Sequence, residues 1–187
     1  MKRIESMAAT CGTVFCLTMS ATSWAAPSIS PEKMTCKEFV ALDDVVKPNV
    51  VYWTDGFGKK GKRTDSVIDV EETDKLVPIL VTECKEAPSA TLMQKIKSHP
   101  IAPQQPAPVK QSVASQSPTR MTCAEFVALD DVAKPKVVYW AEGFNKKGKA
   151  LDTVVDVDET NRLVPVLITE CKESPKLSFW QKFEKHL

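Results

Sequence analysis

The sequence predicts an all-α protein made of two small, disulfide-closed helical modules in tandem. Three observations predict it: an internal repeat, one early and one late cysteine in each copy, and helix-start signals at matching places. Displacing the chain by 87 places lays Met34–Glu86 on Met121–Glu173 with 38 of 53 positions identical, which is a duplication. Cys36 and Cys84 are 48 positions apart, as are Cys123 and Cys171, so the economical pairing lies within each copy. A bridge closing a loop of that size stabilises by about 4 kcal/mol in the chain-entropy account. For a module this small, whose apolar core alone is marginal, that contribution bears on whether it folds at all.

The chain opens with Lys2 and Arg3, continues through a largely apolar stretch, and reaches Ser23-Trp24-Ala25, with small residues three before and one before a cut. Residues 1–25 are predicted to be a secretory signal peptide cleaved after Ala25, taking Cys11 and Cys16 with it. The stretch is interrupted by Thr, Ser and Gly and is short for a membrane span, and no later segment suits one, so stable membrane insertion is not expected. Export also places the remaining four cysteines where disulfides persist. Residues 26–98 form the first predicted module and 121–187 the second. Between them residues 99–120, with Pro100, Pro103, Pro106, Pro108 and Pro118, read as an extended tether.

Within a module, Thr35-Cys36-Lys37-Glu38 and Thr122-Cys123-Ala124-Glu125 fit a capping box, in which Thr and Glu satisfy each other's backbone donors. Phe39, Val40 and Leu42 give the buried side of this first helix. A second helix is predicted from Pro48, whose missing N–H is harmless in a first turn, through Val50, Val51, Tyr52 and Trp53 to Gly56–Gly58. Leu76 to Cys84 reads as a third helix with Pro78 near its start. The β-branched residues Val67, Ile68, Val70, Val77, Ile79 and Val81 leave a strand open here. Basic amphipathic stretches follow, with Leu92, Met93 and Ile96 in one copy and Phe179, Trp180 and Phe183 in the other.

Residues 34–86 carry 8 Lys/Arg against 11 Asp/Glu and residues 121–173 carry 7 against 10, so acidic modules bear basic tails. Carboxyl groups titrate near pH 4, so by about pH 2 the mature chain carries roughly +25. That self-repulsion opposes compactness, while the disulfides survive. Asp43, Asp44, Asp130 and Asp131, just ahead of the second helix of each copy, are candidate acid sensors, because negative charge there interacts favourably with the helix dipole until protonated.

Catalytic chemistry finds no residue set. His99 and His186 are read as outside the modules and unrepeated, so neither a Cys–His nor a Ser–His–acid arrangement arises within a module. No cofactor is expected. Asp156-Val157-Asp158-Glu159 starts like a calcium loop, but Asn161 stands where the turn needs Gly, so no metal site is expected either. No Gly-rich phosphate loop appears, and the scattered lysines read as a solubility device with no nucleic-acid partner.

The ordered set Thr-Cys-x-Glu-Phe-Val-Ala-Leu-Asp (Thr35–Asp43 and Thr122–Asp130), a following proline, an aromatic-bearing helix, Asp-x-Val-x-Asp-Val (Asp65–Val70) or its counterpart Asp152–Val157, and Val-Pro before the second Cys resembles the HdeA/HdeB acid-stress chaperone family. The resemblance covers nearly all of each module. It implies small helical periplasmic proteins with one internal disulfide, dimeric near neutral pH, which open in strong acid and hold unfolded periplasmic proteins without ATP. On that resemblance Cys36/Cys84 and Cys123/Cys171 match the family bridge. Val50, Val51, Tyr52, Trp53, Val137, Val138, Tyr139 and Trp140 fall where members place dimer and client contacts. Members are typically single modules; a tandem implies pairing within the chain or between chains. The competing reading is a constitutively folded envelope protein that binds a fixed partner without acid activation.

Overall fold

The computed structural model describes residues 28–59, 67–99, 117–146 and 154–187. The predicted signal peptide and most of the predicted tether lie outside these residues. In chain order the elements are β1 (Ser28–Ile29), α1 (Cys36–Ala41), α2 (Lys47–Gly58), α3 (Val70–Glu86), α4 (Leu92–Ser98), α5 (Cys123–Ala128), α6 (Ala133–Asn145), β2 (Val155–Asp156), α7 (Val157–Glu173) and α8 (Phe179–Glu184). The second four helices repeat the first four.

The predicted capping boxes form in both copies. Glu38 Oε2 accepts from the Thr35 backbone N–H at 2.7 Å, and Glu125 Oε2 from that of Thr122 at 2.7 Å, while each Thr hydroxyl accepts from the Glu N–H. Disulfides Cys36–Cys84 and Cys123–Cys171 fasten α1 to α3 and α5 to α7. Isolated bridges Thr35↔Thr91 and Thr122↔Ser178 tie the start of each module to its last helix.

The third helix differs from the sequence expectation. It begins at Val70, not near Leu76, because the Asp69 side chain caps it by accepting from Glu72 N at 3.0 Å, and Asp156 does the same for α7. Glu71 and Glu72 follow in the first turn and Lys85 sits in the last, matching the helix dipole. Pro78 and Pro165 therefore lie inside their helices. Each forfeits one backbone bond, and packing of Leu76, Leu80 and Cys84, all buried, holds the helix through the interruption. The strand alternative survives only in the approach: Val155–Asp156 pairs antiparallel with Ser28–Ile29, so the first residues of module one cross to module two.

The histidines also differ from expectation. His99 and His186 are themselves 87 positions apart and occupy equivalent places. His99 Nε2 lies 2.7 Å from Glu83 Oε1 and His186 Nε2 3.0 Å from Glu170 Oε1, each tying the end of a module to its third helix. The tail stretches belong to the repeat and pack on it. Phe179 and Phe183 are fully buried, Phe179 lies 4.5 Å from Phe126 between ring centroids, and half-buried Trp180 meets Phe144 edge-on at 5.7 Å.

One apolar core runs through both modules. Its centre is the crossing of α2 and α6, made possible by two glycines. A Cβ on Gly56 would collide with the backbone carbonyl of Trp140, and one on Gly143 with that of Trp53. The helices meet backbone to backbone where side chains of any size would hold them apart.

Candidate functional site

The junction of α2 and α6 gathers the residues singled out on the second helices. Val50, Val51, Tyr52, Trp53, Val138, Tyr139 and Trp140 are 0 % exposed and Val137 is 1 %. None offers surface in this closed arrangement: α2 and α6 meet at Gly56 and Gly143, while Tyr52 and Tyr139 turn their hydroxyls to the third helix of their own module. Trp53 stacks on Phe57 with ring centroids 5.2 Å apart and Trp140 on Phe144 at 5.0 Å.

Polar contacts cross and flank this apolar junction. Trp140 Nε1 of module two donates to Asp55 Oδ2 of module one at 3.0 Å. Lys136 Nζ pairs with Asp74 Oδ2 at 2.5 Å and lies 5.7 Å from the centre of the Tyr52 ring. Tyr52 Oη donates toward Val70 O and Asp74 Oδ1, both within 2.9 Å. At the equivalent place in the other copy, Tyr139 Oη lies 3.0 Å from Asn161 Oδ1, and the Asn49 side chain reaches the same hydroxyl from module one. Burial pushes both phenols above their ordinary range, so they remain donors.

The repeat is broken at one end. Asp55 corresponds to Glu142, yet Glu142 Oε2 accepts from Thr160 Oγ1 of its own module at 2.6 Å, with Lys146 Nζ 3.6 Å from Oε1. Among the described residues, the buried Nε1 of Trp53 meets no hydrogen-bond partner. Burial raises the carboxyls of both Asp55 and Glu142, more than Lys59 and Trp140 lower the first, or Thr160 and Lys146 the second.

Two classes of carboxylate therefore exist. The second class is held below its ordinary range: Asp44 by its hydrogen bond to Lys47 at 2.6 Å, Asp131 by Lys134 at 2.7 Å, Glu38 and Glu125 by the Thr35 and Thr122 backbone, and Glu83 by His99. Asp44 and Asp131 are exposed, but their lysines are only 8 % and 7 % exposed. Asp43 and Asp130 lie one residue earlier, where their backbone carbonyls accept the N–H groups that start α2 and α6.

Sequence reasoning singled out Asp44 and Asp131 for the dipole of the following helix and foresaw the capping glutamates, but not the pairing of the two aspartates with Lys47 and Lys134. It missed Asp55, Glu142, Gly56, Gly143, Lys136 and Asp74, whose roles depend on the facing module. Among the described residues no group of acidic, His or Cys side chains is arranged to hold a metal, and no helix is long and apolar enough to cross a membrane.

The chain matches the HdeA/HdeB family twice, over residues 8–94 and 101–181. It is 45 % identical over 78 residues to a protein of Brucella ovis named probable acid stress chaperone HdeA, covering 42 % of this chain and 68 % of that protein, and equally to its Brucella canis counterpart. It is 30 % identical over 73 residues to the acid stress chaperone HdeA of Escherichia coli K12, covering 35 % of this chain and 66 % of that one. No solved structure matches the chain significantly. With a helical module and its own disulfide in each matched region, the chain belongs to the HdeA/HdeB family as a tandem duplication.

Proposed function

We propose that this chain is an ATP-independent periplasmic chaperone that opens at low pH and holds unfolding periplasmic proteins in solution. The observation that carries the reading is the complete burial of both Val-Val-Tyr-Trp segments on the two helices that cross between the modules, in a fold whose helix starts are held by carboxylates. Opening the junction exposes two large apolar faces on one chain, each still closed by its disulfide. The relatives named acid stress chaperones support the same reading.

The pKa shifts give the trigger a sign. Asp44, Asp131, Glu38, Glu125 and Glu83 have folded-state values below their ordinary 3.8 or 4.5, so they stabilise the closed fold above that range. That stability is lost as pH falls through the ordinary value and on to the lowered one. Asp55 and Glu142 act oppositely: their raised values mean that protonation relieves a buried charge, so mild acid favours closure through them. The two classes together confine opening to strong acid, where the first has protonated and net positive charge drives the modules apart. Protonating Asp44 and Asp131 also leaves the nearly buried Lys47 and Lys134 ammonium groups without their partners. On neutralisation the tether keeps the modules at high effective concentration, so re-pairing competes with client binding within one chain.

The test is suppression of a model client's aggregation by the mature oxidised protein from pH 2 to 7, alongside near-UV circular dichroism and apolar-dye binding. Protection should appear only where tertiary signal is lost and dye binding rises. A protein that stays folded and dye-silent at pH 2, or loosens without protecting, sinks the reading in favour of a constitutively folded binding module.

A further inference from the structure

We infer that the two modules have diverged into complementary halves, so that the docking surface of module one fits module two and not a second copy of itself. This goes beyond the chaperone reading and does not depend on it.

The copies differ at 15 positions of the repeat. Two of these positions meet across the junction. Asn49 in module one corresponds to Lys136 in module two, and Asp74 corresponds to Asn161. At one end of the pair Lys136 reaches Asp74, beside the Tyr52 hydroxyl and over its ring. At the other end the same two positions present Asn49 and Asn161 to the Tyr139 hydroxyl. Module one thus contributes the carboxylate and module two the ammonium to one end, and the remaining end is neutral on both sides.

The alternative pairings lack this match. Two copies of module one would set Asn49 against Asp74 at both ends, giving two carboxylates and no cation. Two copies of module two would set Lys136 against Asn161 at both ends, covering two ammonium groups with no carboxylate; the Lys136 side chain is only 17 % exposed in the observed pair. Covering a charge without its partner is unfavourable, so specificity comes from what the wrong pairings leave unmatched as well as from the ion pair itself. The Trp–acid bond does not favour the mixed pair: two copies of module one could form the Trp–Asp55 bond twice and two copies of module two, carrying Glu142, not at all, which over the two like pairs equals the one bond in each of two mixed pairs. Nor do the glycines, present in both copies. The discriminating pair is Lys136 and Asp74.

The test cuts the tether. A protease site is placed between residues 100 and 116 of the mature oxidised chain, the purified protein is cleaved, and the halves are separated in urea with disulfides intact. After dilution at pH 7 and low salt, native mass spectrometry counts mixed and like pairs. Mixed pairs should exceed the statistical ratio by roughly fivefold, the effect of one partly buried ion pair. The Asp74→Asn/Lys136→Asn chain should fall back to the statistical ratio. A statistical ratio in the unsubstituted protein, or an excess that survives the double substitution, overturns the inference.

The intact chain gives a second measurement. Lys136→Glu should lower the urea midpoint by facing Asp74 with like charge, and adding Asp74→Lys should raise it again despite the lost Tyr52 contact. Losses that simply add would overturn the pairing role of these two residues, whatever the cleaved halves do.

Discussion

Asp55 on α2 accepts the indole N–H of Trp140 on α6 at 3.0 Å, a buried bond between modules whose sequence positions are 85 residues apart. Asp55 is 6 % exposed, and Lys59, which caps the end of the same helix, holds its Nζ 4.0 Å from Oδ1. The bond joins the modules through a group that burial makes reluctant to ionise.

That combination separates two substitutions. Asp55→Asn keeps an acceptor for Trp140 and removes the buried charge, so it should stabilise the chain by about 1 kcal/mol at pH 7. The gain should shrink as pH falls through the raised value of Asp55, where the unsubstituted group already carries its proton. Asp55→Ala leaves a buried N–H unpaired and should cost about 1–3 kcal/mol. Urea midpoints at pH 7 and in mild acid measure both; a loss on Asp55→Asn at pH 7 would contradict the assignment.

Gly56 and Gly143 set the distance between α2 and α6. Gly56→Ala or Gly143→Ala must part the helices, since the obstacle is backbone, and should cost about 2 kcal/mol or more despite the helix-propensity gain. Gly58→Ala is the control, because among the described residues its Cβ would meet only Met93 Sδ, at an ordinary 3.7 Å. That change should be neutral or slightly stabilising. Acid-unfolding midpoints distinguish the two outcomes, with the Gly56 and Gly143 variants opening at higher pH.

Asp44 and Asp131 predict a pH dependence of opposite sign to that of Asp55. Both are held low by their lysines, so the Asp44→Asn/Asp131→Asn chain should be less stable at pH 7, with a deficit that disappears as pH falls through the lowered values of those carboxyls. Its stability curve should therefore be flatter between pH 5 and pH 2. Denaturant midpoints across that range give the slope, and an unchanged slope would remove these two residues from the trigger.

How much of this was legible follows from where each signal lives. Thr35–Glu38 and the cysteine pairing are local or repeat-borne, so the sequence carries them in full. The start of α3 was hidden because Val67, Ile68 and Val70 read as a strand and Pro78 as a first-turn residue. The fold instead uses Asp69 as the cap and lets buried Leu76 and Leu80 carry the helix past the proline. Gly56 read as a helix terminator, which is what a glycine near a helix end means when the facing helix is unknown. The equivalence of His99 and His186 was available at the same 87-residue offset, but the near-identical run stops at Glu86 and Glu173. Asp55 had no local signal, since a carboxylate two residues past a Trp acquires its role only from the other module.

The unpaired Trp53 N–H yields the last prediction. Asp55 satisfies Trp140, whereas the longer Glu142 turns to Thr160 and leaves Trp53 without an acceptor. Glu142→Asp shortens the side chain to the length that reaches the indole in the other half of the pair. Thr160 does not lose its bonding, because its hydroxyl also lies 2.9 Å from Asp156 O. Pairing a buried donor that had no partner should therefore stabilise the closed chain by about 1 kcal/mol. The indole N–H resonance of Trp53 should move downfield toward that of Trp140, and the acid-opening midpoint should fall. A destabilised Glu142→Asp chain with an unmoved Trp53 resonance would mean that the Glu142–Thr160 bond, and not the missing Trp53 bond, governs this end of the junction.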